Sequence, residues 1–199
     1  MSTFGTYHLA ERPTEFQPVR KNNFRFILTG VDALLQAGIA SGAESLDNFN
    51  PNTSDLIYGA QDVIDFSVLS FEAPHFSQTP IEVKRGNSTL YYAGVPSFDQ
   101  KTLTINDFVG ADGKSVLLAW QALSYNVIDD TIPSSDVYKK DAVVLEYLPD
   151  NTLVRYWELK GCWVQSISGD DWNNEDGGKK TIQATIRYDR AIPHLPDEE

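Results

Sequence analysis

Glu158-Leu159-Lys160-Gly161-Cys162-Trp163 ends one strand-like run and begins another, and Thr181-Ile182-Gln183-Ala184-Thr185-Ile186-Arg187-Tyr188 then alternates without a break. In the second stretch Ile182, Ala184, Ile186 and Tyr188 share one face while Thr181, Gln183, Thr185 and Arg187 share the other, which is the two-residue period of a half-buried strand. A face so regularly polar implies water, or a water-filled lumen, on that side. The fold class that follows is mainly β and antiparallel.

Working outward, Ala142 to Tyr147, Leu153 to Leu159 and Trp163 to Ile167 read as strands that follow a polar loop through Asp129, Asp130, Pro133 and Ser134. One helix is expected from about Lys114 to Val127, with Val116, Trp120, Leu123 and Val127 at helical intervals and Asp112 placed to cap it. Before it, Val63 to Phe71, Ile81 to Lys84, Thr89 to Ala93 and Lys101 to Asp107 read as strands separated by Pro74, Pro80, Gly86-Asn87 and Pro96. Arg85-Gly86-Asn87-Ser88 has the composition of a hairpin turn, because Gly and Asn tolerate positive φ. Phe24, Phe26 and Leu28 alternate with Arg25, Ile27 and Thr29 in a first strand. Residues 1–22 are an N-terminal arm, 23–193 a single β domain, and 194–199 an acidic tail. Residues 31–61, with a short helical stretch near Asp32 to Ala37 and then many turn-formers, read either as a functional long loop or as a disordered insertion.

Composition narrows the function. With 41% hydrophobic and 12% aromatic residues in 199, the chain is folded and large enough for one well-buried core. The net charge of −12 disfavours wrapping on phosphate. The lone Cys162 cannot form an internal disulfide, and the region after Met1 has no signal-peptide pattern, so a reducing cytoplasm is the expected folding compartment. No apolar run reaches the ~18 residues that cross a bilayer, so no membrane partner is expected.

Several motifs invite chemistry and fail on spacing. Gly110-Ala111-Asp112-Gly113-Lys114-Ser115 lies before the helix like a phosphate loop, yet Phe108 stands where the first glycine of that motif is required. The acidic run Asp170 to Gly178 resembles a calcium loop, but Asp176 replaces the turn glycine and Ile182 the bidentate glutamate. His8, His75 and His194 show no metal-ligand spacing. Cys162 would need His75 to approach before it could act as a nucleophile, and a small thiol beside Trp163 on a strand fits core packing better. The glycosylation patterns at Asn52 and Asn87 carry no meaning without a secretory signal. No catalytic residue, metal site or cofactor is expected.

From about Asp62 to Arg190 the chain resembles a bacteriophage tail tube protein of contractile-tailed, T4-like myoviruses. The segments that carry the likeness are, in order, Phe98-Asp99 leading into Leu103-Thr104-Ile105-Asn106-Asp107, the helix with Ala119-Trp120-Gln121, Tyr138-Lys139-Lys140-Asp141-Ala142-Val143-Val144 with Tyr147, Glu158 to Trp163, Trp172-Asn173, and the final strand. Val164 stands where the family often has proline, and 31–61 is longer than expected.

The resemblance implies two packed antiparallel sheets, a β-sandwich or barrel, with one flanking helix. It implies homohexameric rings stacked into a hollow tube, a virion location after assembly in the bacterial host cytoplasm, and contacts with tail sheath, tape-measure and baseplate proteins. DNA would pass through the lumen without specific binding, eased by carboxylates that repel phosphate over a Debye length of ~8 Å. Glu82 and Asp99 are the lumen-facing acidic candidates, and Tyr138, Lys139 and Lys140 the inter-subunit contact candidates, while Trp120, Trp157 and Trp163 are assigned to packing. A tube initiator, a baseplate component or the tube of a related contractile injection system would share these features. A carbohydrate-binding β-sandwich, with Tyr91, Tyr92 and Trp172 stacking on sugar rings, is the alternative of a different class.

Overall fold

The computed structural model describes residues 20–30, 60–108, 113–127, 130–168 and 177–195. The elements are β1 (Phe24–Thr29), α1 (Ala60–Ser67), β2 (Val68–Phe71), β3 (Phe76–Gln78), β4 (Ile81–Arg85), β5 (Ser88–Tyr92), β6 (Pro96–Phe98), β7 (Lys101–Asn106), α2 (Gly113–Ala122), α3 (Ser135–Tyr138), β8 (Lys140–Tyr147), β9 (Leu153–Ser168), β10 (Thr181–Arg187) and β11 (Arg190–His194). Most of the expected arm, the long loop with its short helix up to residue 59, the capping Asp112, the acidic run around Trp172 and most of the tail lie outside the described residues, while Ala60 and Gln61, expected to end that loop, open α1.

Two antiparallel sheets share β9. The first half of β9 pairs with β8 and β11, and β8 pairs in turn with β1. The second half pairs with β10, which continues through β7 to β2. The order β1-β8-β9-β10-β7-β2 curls until its ends meet, where the rings of Phe26 and Phe71 stand 4.9 Å apart. The enclosed core follows from strand alternation: Phe26 and Leu28, Leu103 and Ile105, Ala142 and Val144, Leu159 and Val164, and Ile182, Ala184 and Ile186 are all buried. Helix α1 packs on β1 and on α2, which itself lies against β9. Val63 and Ile64 come from α1, and Val116, Leu117 and Trp120 from α2.

The structure corrects several expectations. The segment Val63 to Ser67 is helical and only Val68 to Phe71 is strand, because the buried positions Val63, Ile64 and Ser67 sit one and four apart while Phe66 points to solvent. A salt bridge from Arg25 to Asp65 ties that helix to β1, with Arg25 Nε 2.9 Å from Oδ2, and this carboxylate holds the guanidinium above its ordinary pKa. The run 153–168 is one strand with a corner instead of two strands. Helix α2 stops at Ala122, where Ser124 Oγ donates to the Gln121 carbonyl at 2.7 Å, and Val127 is exposed. The short strands β3 and β6 and the Pro193-containing β11 had no readable period, since proline weakens a strand signal except at edges.

Candidate assembly surface

Three of the sequence landmarks meet at the corner where β9 passes from one sheet to the other. Gly161 turns the strand with φ of +67°, a left-handed conformation that glycine adopts without a Cβ penalty. Its N–H donates to Asp141 Oδ1 at 3.1 Å, and Lys160 Nζ donates to Asp141 Oδ2 at 3.0 Å. The hydrogen bond from Asp141, together with its charge, raises the Lys160 pKa above its ordinary value. On the other side Asp189 N–H donates to the Lys160 carbonyl at 2.9 Å, while the Asp189 carboxylate accepts from Lys139 Nζ at 2.8 and 2.7 Å. Trp120 Nε1 donates to the Tyr138 carbonyl at 2.9 Å, and the Tyr138 ring meets Trp163 edge-on with centroids 6.0 Å apart.

The contact candidates Tyr138, Lys139 and Lys140 therefore lie together, half-buried, at the head of β8. Two of them already have partners within the chain: Tyr138 packs on Trp163, and Lys139 pairs with Asp189. Lys140 pairs through its backbone with Cys162. Asp141 and Asp189, which hold the corner, were missed because isolated aspartates carry no period. Of the three tryptophans, Trp120 is fully buried, whereas Trp157 and Trp163 are half-buried.

Cys162 itself is buried in this corner. Burial, with the charges of Asp141 and Asp189, pushes its thiol up to about 12, so the group is a neutral packing residue and not a thiolate nucleophile. Burial likewise pushes Tyr188 up to about 12, with Asp99 adding to it. Both groups hold protons more tightly folded than unfolded, so their contribution is complete below the unfolded values of 9.0 and 10.0 and is lost as pH rises toward about 12. Urea midpoints are thus expected to fall between pH 9 and 11, and Cys162→Ala should flatten part of that slope. A midpoint that holds steady across this range would contradict the assignment.

Away from the corner, a ribbon leaves the body between β2 and β7. Strands β3 and β6 pair at its base and β4 and β5 at its tip, closed by the Gly86-Asn87 turn with Gly86 at φ +63°. Every residue of β4 and β5 is exposed, including Ile81, Val83, Leu90, Tyr91 and Tyr92. A lone two-stranded hairpin is marginal in water, and clustered exposed apolar side chains mark a surface suited to contact with another molecule. Glu82 sits on this ribbon opposite Tyr91, and Asp99 lies exposed between β6 and β7. Tyr91 and Tyr92 are adjacent on one strand and so point to opposite faces, which denies a sugar ring a common platform; Trp172 lies outside the described residues.

Chemistry is sparse elsewhere. Among the described residues no group of His, Cys, Asp and Glu is arranged to hold a metal, and no helix is long and apolar enough to cross a membrane. Gly113, the described glycine of the phosphate-loop-like run, begins α2 where a Cβ would meet Ile105 Cδ1 at 2.8 Å, so its role is close packing of helix on strand. His194 stacks on Tyr156 with centroids 4.7 Å apart.

No protein-family model and no curated protein matches the sequence. Among solved structures, a chain of the extended sheath–tube complex of an extracellular contractile injection system (PVC) is similar with a TM-score of 0.59 and 16% identity, over 94% of this chain and 98% of that one. The tube-terminating cap of the anti-feeding prophage gives a TM-score of 0.58 at 12% identity, covering 90% and 92%. The PVC sheath/tube terminator gives 0.58 at 14% identity, covering 90% and 98%. The described residues therefore share the fold of these contractile-injection-system chains.

Proposed function

We propose that this chain is a structural subunit that polymerises with copies of itself, as stacked six-membered rings, into the inner tube of a contractile particle. The observation that carries the reading is the apolar ribbon, too exposed to be stable alone and attached to a body whose fold is shared over almost its whole length with tube and cap structures. A ring is built from head-to-tail contacts, and an extended ribbon can complete a neighbouring subunit's surface in such a lattice. Lys140 is the bridging candidate least committed to its own chain, since Lys139 is held by Asp189. Glu82 and Asp99, the acidic groups expected to face the bore, are both carried by the ribbon region and not by the body's strands.

Sheath, tape-measure and baseplate proteins are the partners this role requires. Two settings share it: the tail of a contractile phage, where DNA is the cargo, and an extracellular injection particle. The likeness to injection-system structures favours the second.

Negative-stain imaging and sedimentation of the concentrated protein test the reading. Wild type should form rings or hollow rods. Replacing the β4–β5 hairpin by a two-residue link should abolish them and leave a folded monomer, because no core residue is lost. Lys140→Glu should also suppress rods, whereas Lys139→Glu should first weaken the corner. A wild type that stays monomeric at high concentration, or a shortened chain that still forms rods, would overturn the role given to the ribbon.

A further inference from the structure

The two sheets present opposite chemistry on their outer faces. Across the sheet of β2, β7, β10 and the second half of β9, register places Ser70, Thr104, Gln183 and Ser168 in one row, Thr102, Thr185 and Ser166 in the next, and Asn106 beside Thr181. These side chains alternate with the buried Leu103, Ile105, Ile182, Ala184 and Ile186, so they stand on the face away from the core. All are uncharged hydroxyl or amide groups, in a chain with 28 acidic and 16 basic residues. Arg187, beside Trp163, is the charged member at one end, and at the other Asp107 and Lys180 neutralise each other at 3.0 Å.

The sheet of β1, β8, β11 and the first half of β9 differs. Its outer rows run Ile27, Val143, Glu158 and Ile192, then Arg25, Leu145, Tyr156 and His194. Apolar side chains interspersed with ion pairs, such as Lys160 with Asp141 and with Glu158, suit contact with protein. Of the two faces, only the hydroxyl face has the composition of a surface that stays wet.

Resting on the tube reading above, we infer that the hydroxyl face is the wall of the bore, and that this wall is electrically neutral. Short Ser and Thr side chains keep close to the sheet, as Ser168 Oγ does by donating to the Gln183 carbonyl at 3.0 Å, and offer a cargo neither an ion pair nor an apolar foothold. The carboxylates of Glu82 and Asp99 belong to the ribbon region and not to these strands. Passage along such a wall is not sorted by the sign of the cargo's charge, unlike passage along an acidic one.

The test is a single cysteine at the centre of the face, Gln183→Cys, with wild type as the blank because its own thiol is buried. Rods are first confirmed by imaging, and the hairpin-shortened monomer carrying the same cysteine gives the reference rates. In rods, small cationic and anionic thiosulfonates should both label, with their rate ratio within about twofold of the monomer's, while a bulky polyethylene-glycol maleimide should slow by about tenfold or more. A cationic reagent favoured by about tenfold would overturn neutrality. Bulky reagent labelling rods as fast as monomer puts the face outside, and no labelling at all puts it between subunits; either overturns the wall. Thr104→Cys, in the same row, replaces Gln183→Cys should that variant fail to assemble. If wild type forms no rods, the tube reading falls and the wall with it, whereas rods with the wrong labelling pattern sink the wall alone.

Discussion

Trp120→Ala is expected to be among the most damaging single truncations in this chain. The indole is 1% exposed, fills the space between α2 and the strand layers, and donates its N–H to the Tyr138 carbonyl at 2.9 Å. Large-to-small changes of this kind cost about 3–5 kcal/mol, the lost transfer energy plus the cavity left behind. For a chain of this size each kcal/mol moves Tm by about 2–4 °C, so melting is expected roughly 10 °C lower. Trp120→Phe separates the two contributions: most of the volume stays, the Tyr138 carbonyl loses its donor, and the loss should shrink to about 1–3 kcal/mol. Differential scanning calorimetry reads both variants. An alanine variant that melts within about 2 °C of wild type would show that the indole is not the anchor.

Gly161→Ala should follow closely. At φ of +67° a Cβ carries a conformational cost of about 1–2 kcal/mol. It would also collide with Asp189 Oδ2, so the carboxylate must move and release Lys139. Together these should cost about 2–4 kcal/mol, or a Tm loss of roughly 5–15 °C. Asp189→Ala in the same chain removes the collision but not the backbone strain, so the double variant should be less damaged than the sum of the singles. Additive losses would mean that the two residues do not meet.

Much of the strand pattern was legible because burial on one face leaves a two-residue period. In β10, β7 and β1 the alternating residues Ile182, Ala184 and Ile186, Leu103 and Ile105, and Phe26 and Leu28 are buried as the pattern required. The reading failed where that period is absent or misleading. Val63-Ile64 is an adjacent β-branched pair that resembles the middle of a strand, yet it belongs to a helix whose partners, β1 and α2, are distant in sequence. Gly161 looked like a strand end because a positive φ within a strand and a turn between strands leave the same residue in the sequence. At the candidate site, Tyr138-Lys139-Lys140 was visible as a charged entry to a strand, but its ties to Trp163 and Asp189 depend on long-range geometry. At the tip of the ribbon β4 and β5 were legible, whereas their complete exposure was not, since an apolar alternation normally means a buried face.

Because β9 is a member of both sheets, force applied to one is carried into the other along covalent backbone, without relying on side-chain packing between layers. The same sharing delays folding. β1 closes only on β8, more than a hundred positions later, and neither layer is complete until β9 and β10 have been synthesised. Contacts of such long sequence separation form slowly. The growing polypeptide therefore carries its apolar ribbon without a finished body behind it until the final quarter of the chain emerges.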